Sequence, residues 1–227
     1  MKKINIAIDG LSGCGKSSTA KAVAKALAYK FIDTGAMYRA VTLYFLAHDV
    51  DLNDSKEVDK ALARINIDFE YNAETAKNET FLNQQNVETQ IRKMLVSNKV
   101  SSVAALKAVR VAMVAQQQEM GKNKGVVMDG RDIGSVVFPD AELKVYMTAS
   151  TEIRAKRRKL ELQEKGEKVD LVEIMENLKS RDFKDSTRVE SPLIKVEDAI
   201  EIDTSHLQFD EQVQKVLDLA KDRLAAE

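Results

Sequence analysis

The sequence predicts an α/β fold: a five-stranded parallel sheet sandwiched by helices, with a small antiparallel β insert. Three observations carry this. Short β-branched runs alternate with helical stretches. Glycines and acidic residues gather where those runs end. One segment places apolar residues at every second position. Strands separated by helices build a parallel sheet covered on both faces, and such sheets collect ligands at the carboxyl ends of their strands.

The first strand is read at residues 4–8, an apolar run suited to a buried parallel strand. It runs into Gly10-Leu11-Ser12-Gly13-Cys14-Gly15-Lys16-Ser17, which fits the phosphate-gripping pattern G-x-x-x-x-G-K-[ST]. Residues 18–28 follow, alanine-rich and without Gly or Pro, so they are read as helix. Strand, glycine turn and helix together turn backbone N–H groups around phosphate oxygens at an anion-favouring helix N-terminus. Lys16 reaches the outer phosphates and the Ser17 hydroxyl ligates magnesium. The loop predicts a bound nucleoside triphosphate. Cys14 sits at a variable loop position, and its expected role is packing rather than nucleophilic catalysis.

Further strands are read at 30–32, 126–128, 143–147 and 199–202. The polar signals fall at the ends of the first three strands: Asp9-Gly10, Asp33-Thr34-Gly35 and Asp129-Gly130-Arg131-Asp132. Ile65, Ile67, Phe69 and Tyr71 alternate with polar residues, the pattern of a half-buried strand. After a polar stretch at 72–79, Thr80-Phe81-Leu82 can pair back, giving an insert at about 66–89. Residues 88–120 have helical composition, and 210–226 form an amphipathic helix covering one side of the sheet.

Composition narrows the class. The chain has 227 residues and 44% hydrophobic content, enough for a packed core. Lys+Arg 35 against Asp+Glu 36 leaves net charge −1, which gives no general pull toward nucleic acid or membrane. No apolar run approaches the roughly 20 residues of a membrane helix, and Met1-Lys2-Lys3 opens no signal peptide. One cysteine excludes an internal disulfide. The expectation is a monomeric cytoplasmic protein.

The loop alone leaves a GTPase switch, an ATPase motor and a small-molecule kinase open; arginine placement favours the last. Arg154, Arg157 and Arg158 share a helix face at i, i+3 and i+4. Arg181, Asp185 and Arg188 repeat at i, i+4 and i+7, again on one face. Phosphoryl transfer needs cationic clamping, and guanidinium forks bidentately onto phosphate. Solvated surface faces with intrahelical ion pairs are the plainer alternative for both clusters.

Together Ile8-Asp9-Gly10, Lys16-Ser17, Asp33-Thr34-Gly35-Ala36-Met37-Tyr38-Arg39, Asp129-Gly130-Arg131-Asp132-Ile133-Gly134 and Arg181-Asp182 with Asp185 and Arg188 resemble bacterial cytidylate (CMP) kinases, P-loop nucleoside monophosphate kinases. The resemblance spans nearly the whole chain and implies an ATP-dependent kinase of CMP or dCMP, with Mg2+ accompanying ATP. It implies one kinase unit: core 1–62, 100–150 and 180–227, a β insert at about 63–99, and an arginine-bearing lid at about 151–179. It assigns Gly10, Ser12, Gly13, Cys14, Gly15, Lys16, Ser17, Ser18, Arg154, Arg157 and Arg158 to ATP. Thr34, Arg39, Arg131 and Arg181 take the acceptor phosphate, and Tyr38 lines the pocket. Ser101 and Arg110 read cytosine, helped by Asp132. Asp185 takes the pentose hydroxyls, and Arg188 the phosphate or sugar side. Asp129 orients the magnesium water shell or the loop. Lys16, Arg131, Arg181 and Arg158 carry the catalytic expectation.

One geometric requirement follows. Ser101 and Arg110 are nine residues apart, about 180° around a straight helix. They converge on one base only if the helix breaks between about 102 and 107, where this chain has no proline. Thymidylate, adenylate and shikimate kinases share the loop and sheet, though not this pairing of motifs. A nucleotide-binding regulator without kinase activity is the rival from another class. Nucleic-acid binding finds no support, since no aromatic stacking series accompanies the arginines.

Overall fold

In a computed structural model, which describes residues 2–72, 77–164 and 170–226, the middle strand of the larger sheet is β1 (Asn5–Gly10). Ile6 and Ile8 are fully buried and Ala7 nearly so, as a strand covered on both faces requires. Helix α1 (Lys16–Leu27) follows the loop, then β2 (Lys30–Asp33), α2 (Thr34–Ala47), α3 (Ser55–Leu62), β3 (Ile67–Asn72), β4 (Lys77–Leu82) and β5 (Gln85–Asn86). Helices α4 (Met94–Ala104) and α5 (Lys107–Gly121) lead to β6 (Val126–Gly130), a π-turn (Ile133–Val137) and β7 (Leu143–Thr148). The chain ends through α6 (Thr151–Glu164), α7 (Leu171–Thr187), β8 (Ile200–Asp203) and α8 (Phe209–Ala226). The five-stranded sheet has the order β2-β6-β1-β7-β8, with the β1–β6, β1–β7 and β7–β8 pairings parallel.

The chain divides into two compact units, Met1–Phe31 with Gly121–Glu227, and Ile32–Met120. In the first, Ile4, Ile6, Ile8, Val127, Val145 and Met147 from the strands pack with Ala20 and Val23 of α1 and Val216 and Ala220 of α8. Cys14 is fully buried in this cluster, in keeping with a packing role. A separate apolar seam of Ala155, Ile174 and Leu178 joins α6 to α7.

In the second unit, Ile67 pairs with Leu82 and Phe69 with Thr80 in an antiparallel hairpin, the pairing read from the alternation. A third short strand, β5, extends it to order β3-β4-β5. The sequence hid β5 because two polar residues give no period. Part of the polar stretch (73–76) and part of the lid (165–169) lie outside the described residues.

The stretch 88–120 is helical as read, in the form of a 3-10 turn (Gln90–Arg92) and two helices divided inside the window where a break was required. Two local expectations are corrected. The first helix begins at Lys16 rather than Ser18, because Gly15 in a left-handed conformation already serves as its N-cap. Arg188 does not share a helix face with Arg181 and Asp185: α7 ends at Thr187, and Arg188 is extended at the C-cap.

Candidate active site

The phosphate loop is shaped by three glycines with positive φ: Gly10 (142°), Gly13 (76°) and Gly15 (96°). At Gly10 a Cβ would drive into the Met147 carbonyl of the neighbouring strand, so only glycine fits the close approach. Gly15 caps α1 without a side chain, leaving the first N–H groups of the helix for an anion. Lys16 is buried, and its Nζ donates to the Leu11 carbonyl at 2.6 Å across the loop. Burial, then the neighbouring Arg131 charge, pulls its ammonium below the ordinary lysine range. Ser17 Oγ donates to Asp129 Oδ2 at 2.6 Å.

The loop's other polar groups are gripped from distant parts of the chain. Asp182 Oδ1 accepts the Ser12 N–H at 3.1 Å, Arg131 donates to Ser12 Oγ at 2.9 Å, and Arg154 donates to the Ser12 carbonyl at 3.0 Å. Arg154, buried in α6, also bonds Asp182 at 2.6 Å and the Ala149 carbonyl at 2.9 Å. The Cys14 carbonyl accepts from Thr204 Oγ1 at 2.8 Å and from Arg157 at 3.4 Å. Arg157 in turn holds the Thr204 carbonyl at 2.6 Å. Arg158, on the exposed side of α6, pairs with Glu161 at 2.9 Å. The three arginines of α6 therefore divide: two bind the loop's own carbonyls, and one lies on the surface.

Arg131 also pairs through Nε with Asp185 Oδ2 at 2.8 Å. Arg188 lies 3.7 Å from Asp185 and 3.8 Å from buried Asp132. Arg131, Asp132, Asp185 and Arg188 thus form one cluster at the loop, through Ser12. Arg181 is exposed on α7, one turn before Asp185.

The second unit brings together a further group. Asp33 caps α2 by accepting the Ala36 N–H at 2.9 Å, and its other oxygen pairs with Arg92 at 3.1 Å. This holds the first turn of α2, where Thr34 is buried. Arg39 donates to Ser97 Oγ at 2.8 Å and to the Ile91 carbonyl at 3.4 Å. The required helix break is present at Ala105-Leu106, between α4 and α5. Arg110 stabilises it: its guanidinium donates to the Ala104 carbonyl at 3.2 Å and lies 5.4 Å above the Tyr38 ring. Ser101 is exposed on α4, and its carbonyl accepts the Ala105 N–H at 3.2 Å.

Asp9 and Asp182 stand in the motifs quoted from the sequence but are assigned no role there, and Thr204 and Ser97 are not singled out at all. Asp182 left one signal, its place three residues before Asp185 on the same helix face. Thr204 and Ser97 left none.

A glycine loop at a helix N-terminus, a buried lysine, a serine hydroxyl on a strand-end carboxylate and an adjoining arginine cluster define a P-loop phosphotransferase. Among solved structures the chain is similar to an uncharacterized protein from Eubacterium ventriosum, with TM-score 0.53 at 14% identity over 97% of this chain and 99% of that one, a likeness of fold alone. The family model for cytidylate kinase matches residues 6–222. A cytidylate kinase of Cytophaga hutchinsonii is 54% identical over 97% of this chain and 94% of its own length. One from Bacteroides fragilis is 56% identical over 93% of this chain and 94% of its own. The chain belongs to the cytidylate kinase family.

Proposed function

We propose that this chain transfers the γ-phosphoryl group of ATP to CMP or dCMP, yielding ADP and CDP or dCDP. Beyond family membership, the observation that carries the reading is the Arg131 contact with Ser12 inside the phosphate loop. A guanidinium suited to an acceptor phosphate thereby sits against the groups suited to the donor phosphates. Loop N–H groups and Lys16 take the ATP phosphates, while Arg154 and Arg157 keep the loop in shape. Arg131, Arg181, Arg39 and Thr34 neutralise and orient the acceptor phosphate, so that its oxygen attacks the γ-phosphorus in line. A phosphate oxygen is already nucleophilic at neutral pH, so no strong general base is required.

Ser101 and Arg110 read the cytosine edge, Tyr38 lines the pocket, Asp132 is assigned to cytosine or its surroundings, and Asp185 and Arg188 serve the pentose. On binding, Asp185 exchanges its bond from Arg131 for ligand hydroxyls. Arg158 is the lid arginine over ATP, excluding water on closure. Ser17 and Asp129 suit magnesium: a hydroxyl and one carboxylate fit a hard cation that keeps its waters and phosphate oxygens. Bound with ATP, the ion would neutralise phosphate charge and order the triphosphate. We place the enzyme in the cytoplasm as a monomer; its balanced charge favours no membrane or nucleic-acid partner. Among the described residues no helix is long and apolar enough to cross a membrane.

A coupled ADP-release assay with CMP, dCMP, UMP, AMP and dTMP tests the reading. CMP and dCMP should turn over fastest. Preference for AMP or dTMP, or nucleotide binding without any diphosphate product, would overturn it.

A further inference from the structure

Asp9 is the next-to-last residue of β1, directly before the phosphate loop, yet none of the roles above uses it. Its carboxylate is buried, at 6% exposure. Its two oxygens accept consecutive backbone N–H groups, Ile133 at 2.9 Å and Gly134 at 2.7 Å. These are the opening donors of the π-turn that follows Arg131 and Asp132, groups that a turn of this kind leaves unsatisfied.

An aspartate in the N-cap position ordinarily caps its own turn. Asp132 occupies that position and makes no side-chain cap. Asp9, from another strand, does the capping instead, and the Asp132 carboxylate stands 3.8 Å from Arg188. Gly134 permits the approach: a Cβ there would meet Asp9 Oδ2 at 3.4 Å and the Lys144 stem at 3.2 Å.

We propose that Asp9 is a positioning residue for the acceptor side of the reaction, holding the turn that aims Arg131 and Asp132. This rests on the kinase reading given above. The electrostatics agree with a functional rather than a stabilising purpose. Burial lifts the Asp9 carboxyl from 3.8 to about 6, against the two N–H bonds that lower it. Asp132 on the turn adds to the rise, and Lys16 from α1 opposes it. Lys144 on β7 directs its ammonium to Asp198 at 2.7 Å. Asp129 on β6 bonds Ser17, and Arg131 is engaged by Asp185. A carboxyl that binds its proton more tightly folded than unfolded contributes stability that falls as pH rises from about 4 to about 6. The charged form that operates at neutral pH therefore costs the fold stability.

Asp9→Asn tests the inference. The amide keeps one acceptor but turns a second donor toward a backbone N–H. Mis-set by even about 1 Å, the turn should lower kcat/KM for CMP by on the order of 10²-fold, with the KM for ATP little changed. The melting temperature of the variant relative to the unsubstituted chain should rise between about pH 4 and about pH 6, because only the latter carries the Asp9 contribution that falls over that range. In the unsubstituted chain labelled with 15N-glycine, the Gly134 amide should titrate near pH 6 while Gly125 does not. Unchanged CMP parameters beside normal wild-type CDP formation would overturn the inference alone. So would a Gly134 amide that ignores pH, even where Asp9→Asn fails to fold. Failure of the wild type to phosphorylate any pyrimidine monophosphate would instead overturn the kinase reading, and with it the acceptor-side role.

Discussion

The phosphate loop and the α4–α5 joint are both held by side-chain bonds to backbone carbonyls, and the holding residues lie at opposite distances in the chain. The Ser12 and Cys14 carbonyls are held by Arg154 and Thr204, 142 and 190 residues away. The joint is held by Arg110, only six residues from the Ala104 carbonyl it bonds. A loop stabilised from afar can form only once the sheet and the α6–α7 pair have assembled. A joint stabilised locally forms as its own helices do. The donor-phosphate grip should therefore report on global folding, whereas base reading should be separable from it.

The largest effect should come from cutting the long-range support. Arg154→Met leaves Asp182 facing Ser12 without its 2.6 Å partner. Breaking a buried ion pair by removing one member costs about 3–5 kcal/mol. Urea unfolding should show that loss, and ATP affinity should fall with it. Full stability with weakened ATP binding would mean that Arg154 touches nucleotide rather than holding the loop. Lys16→Ala comes next and should behave in the opposite way. Its ammonium is buried and depressed in pKa by that burial, so the fold loses little with it. Phosphoryl transfer loses a positioned cation, and kcat should drop by on the order of 10³-fold. Near-normal turnover would remove Lys16 from the mechanism.

How much of this was legible in the sequence differs between the two regions for a physical reason. The loop was legible residue by residue because backbone chemistry leaves few alternatives at Gly10 and Gly15. Its supports were not: a threonine 190 residues away carries no local signal of the carbonyl it will bond. The joint was legible as a requirement, since residues nine apart face opposite ways on a straight helix. Its position was hidden, because no proline marks the break and the Arg110 bond to the Ala104 carbonyl leaves no local signal in the sequence. The parallel strands were found within two residues of their ends, for their apolar runs need no partner to be recognised. The end of α7 was missed because Thr187-Arg188 carries neither Gly nor Pro.

A smaller effect should follow at the joint. Arg110→Met keeps the apolar stem but removes the donor to Ala104 and the cation above Tyr38. Loss of a hydrogen bond to a charged group is worth about 1.5–3 kcal/mol, and thermal unfolding should register it. Saturation with CMP should need about tenfold more ligand, while the KM for ATP holds. Equal loss for both substrates would join the two regions that the comparison separates.

The smallest effect should come at Arg158, the one α6 arginine that does not bind the loop. Its partner Glu161 is 59% exposed and Arg158 itself 46%. A pair this open contributes at most about 0.5 kcal/mol, since water and salt screen it and two long side chains lose freedom in forming it. Glu161→Gln should therefore leave the unfolding midpoint unchanged within error. Activity is the informative readout. If Arg158 leaves the helix surface to meet ATP, releasing it from Glu161 removes a competing contact, and the KM for ATP should hold or fall slightly. A raised KM for ATP would mean that Glu161 orients Arg158 rather than occupying it, and the lid would then depend on a surface pair that stability measurements cannot detect.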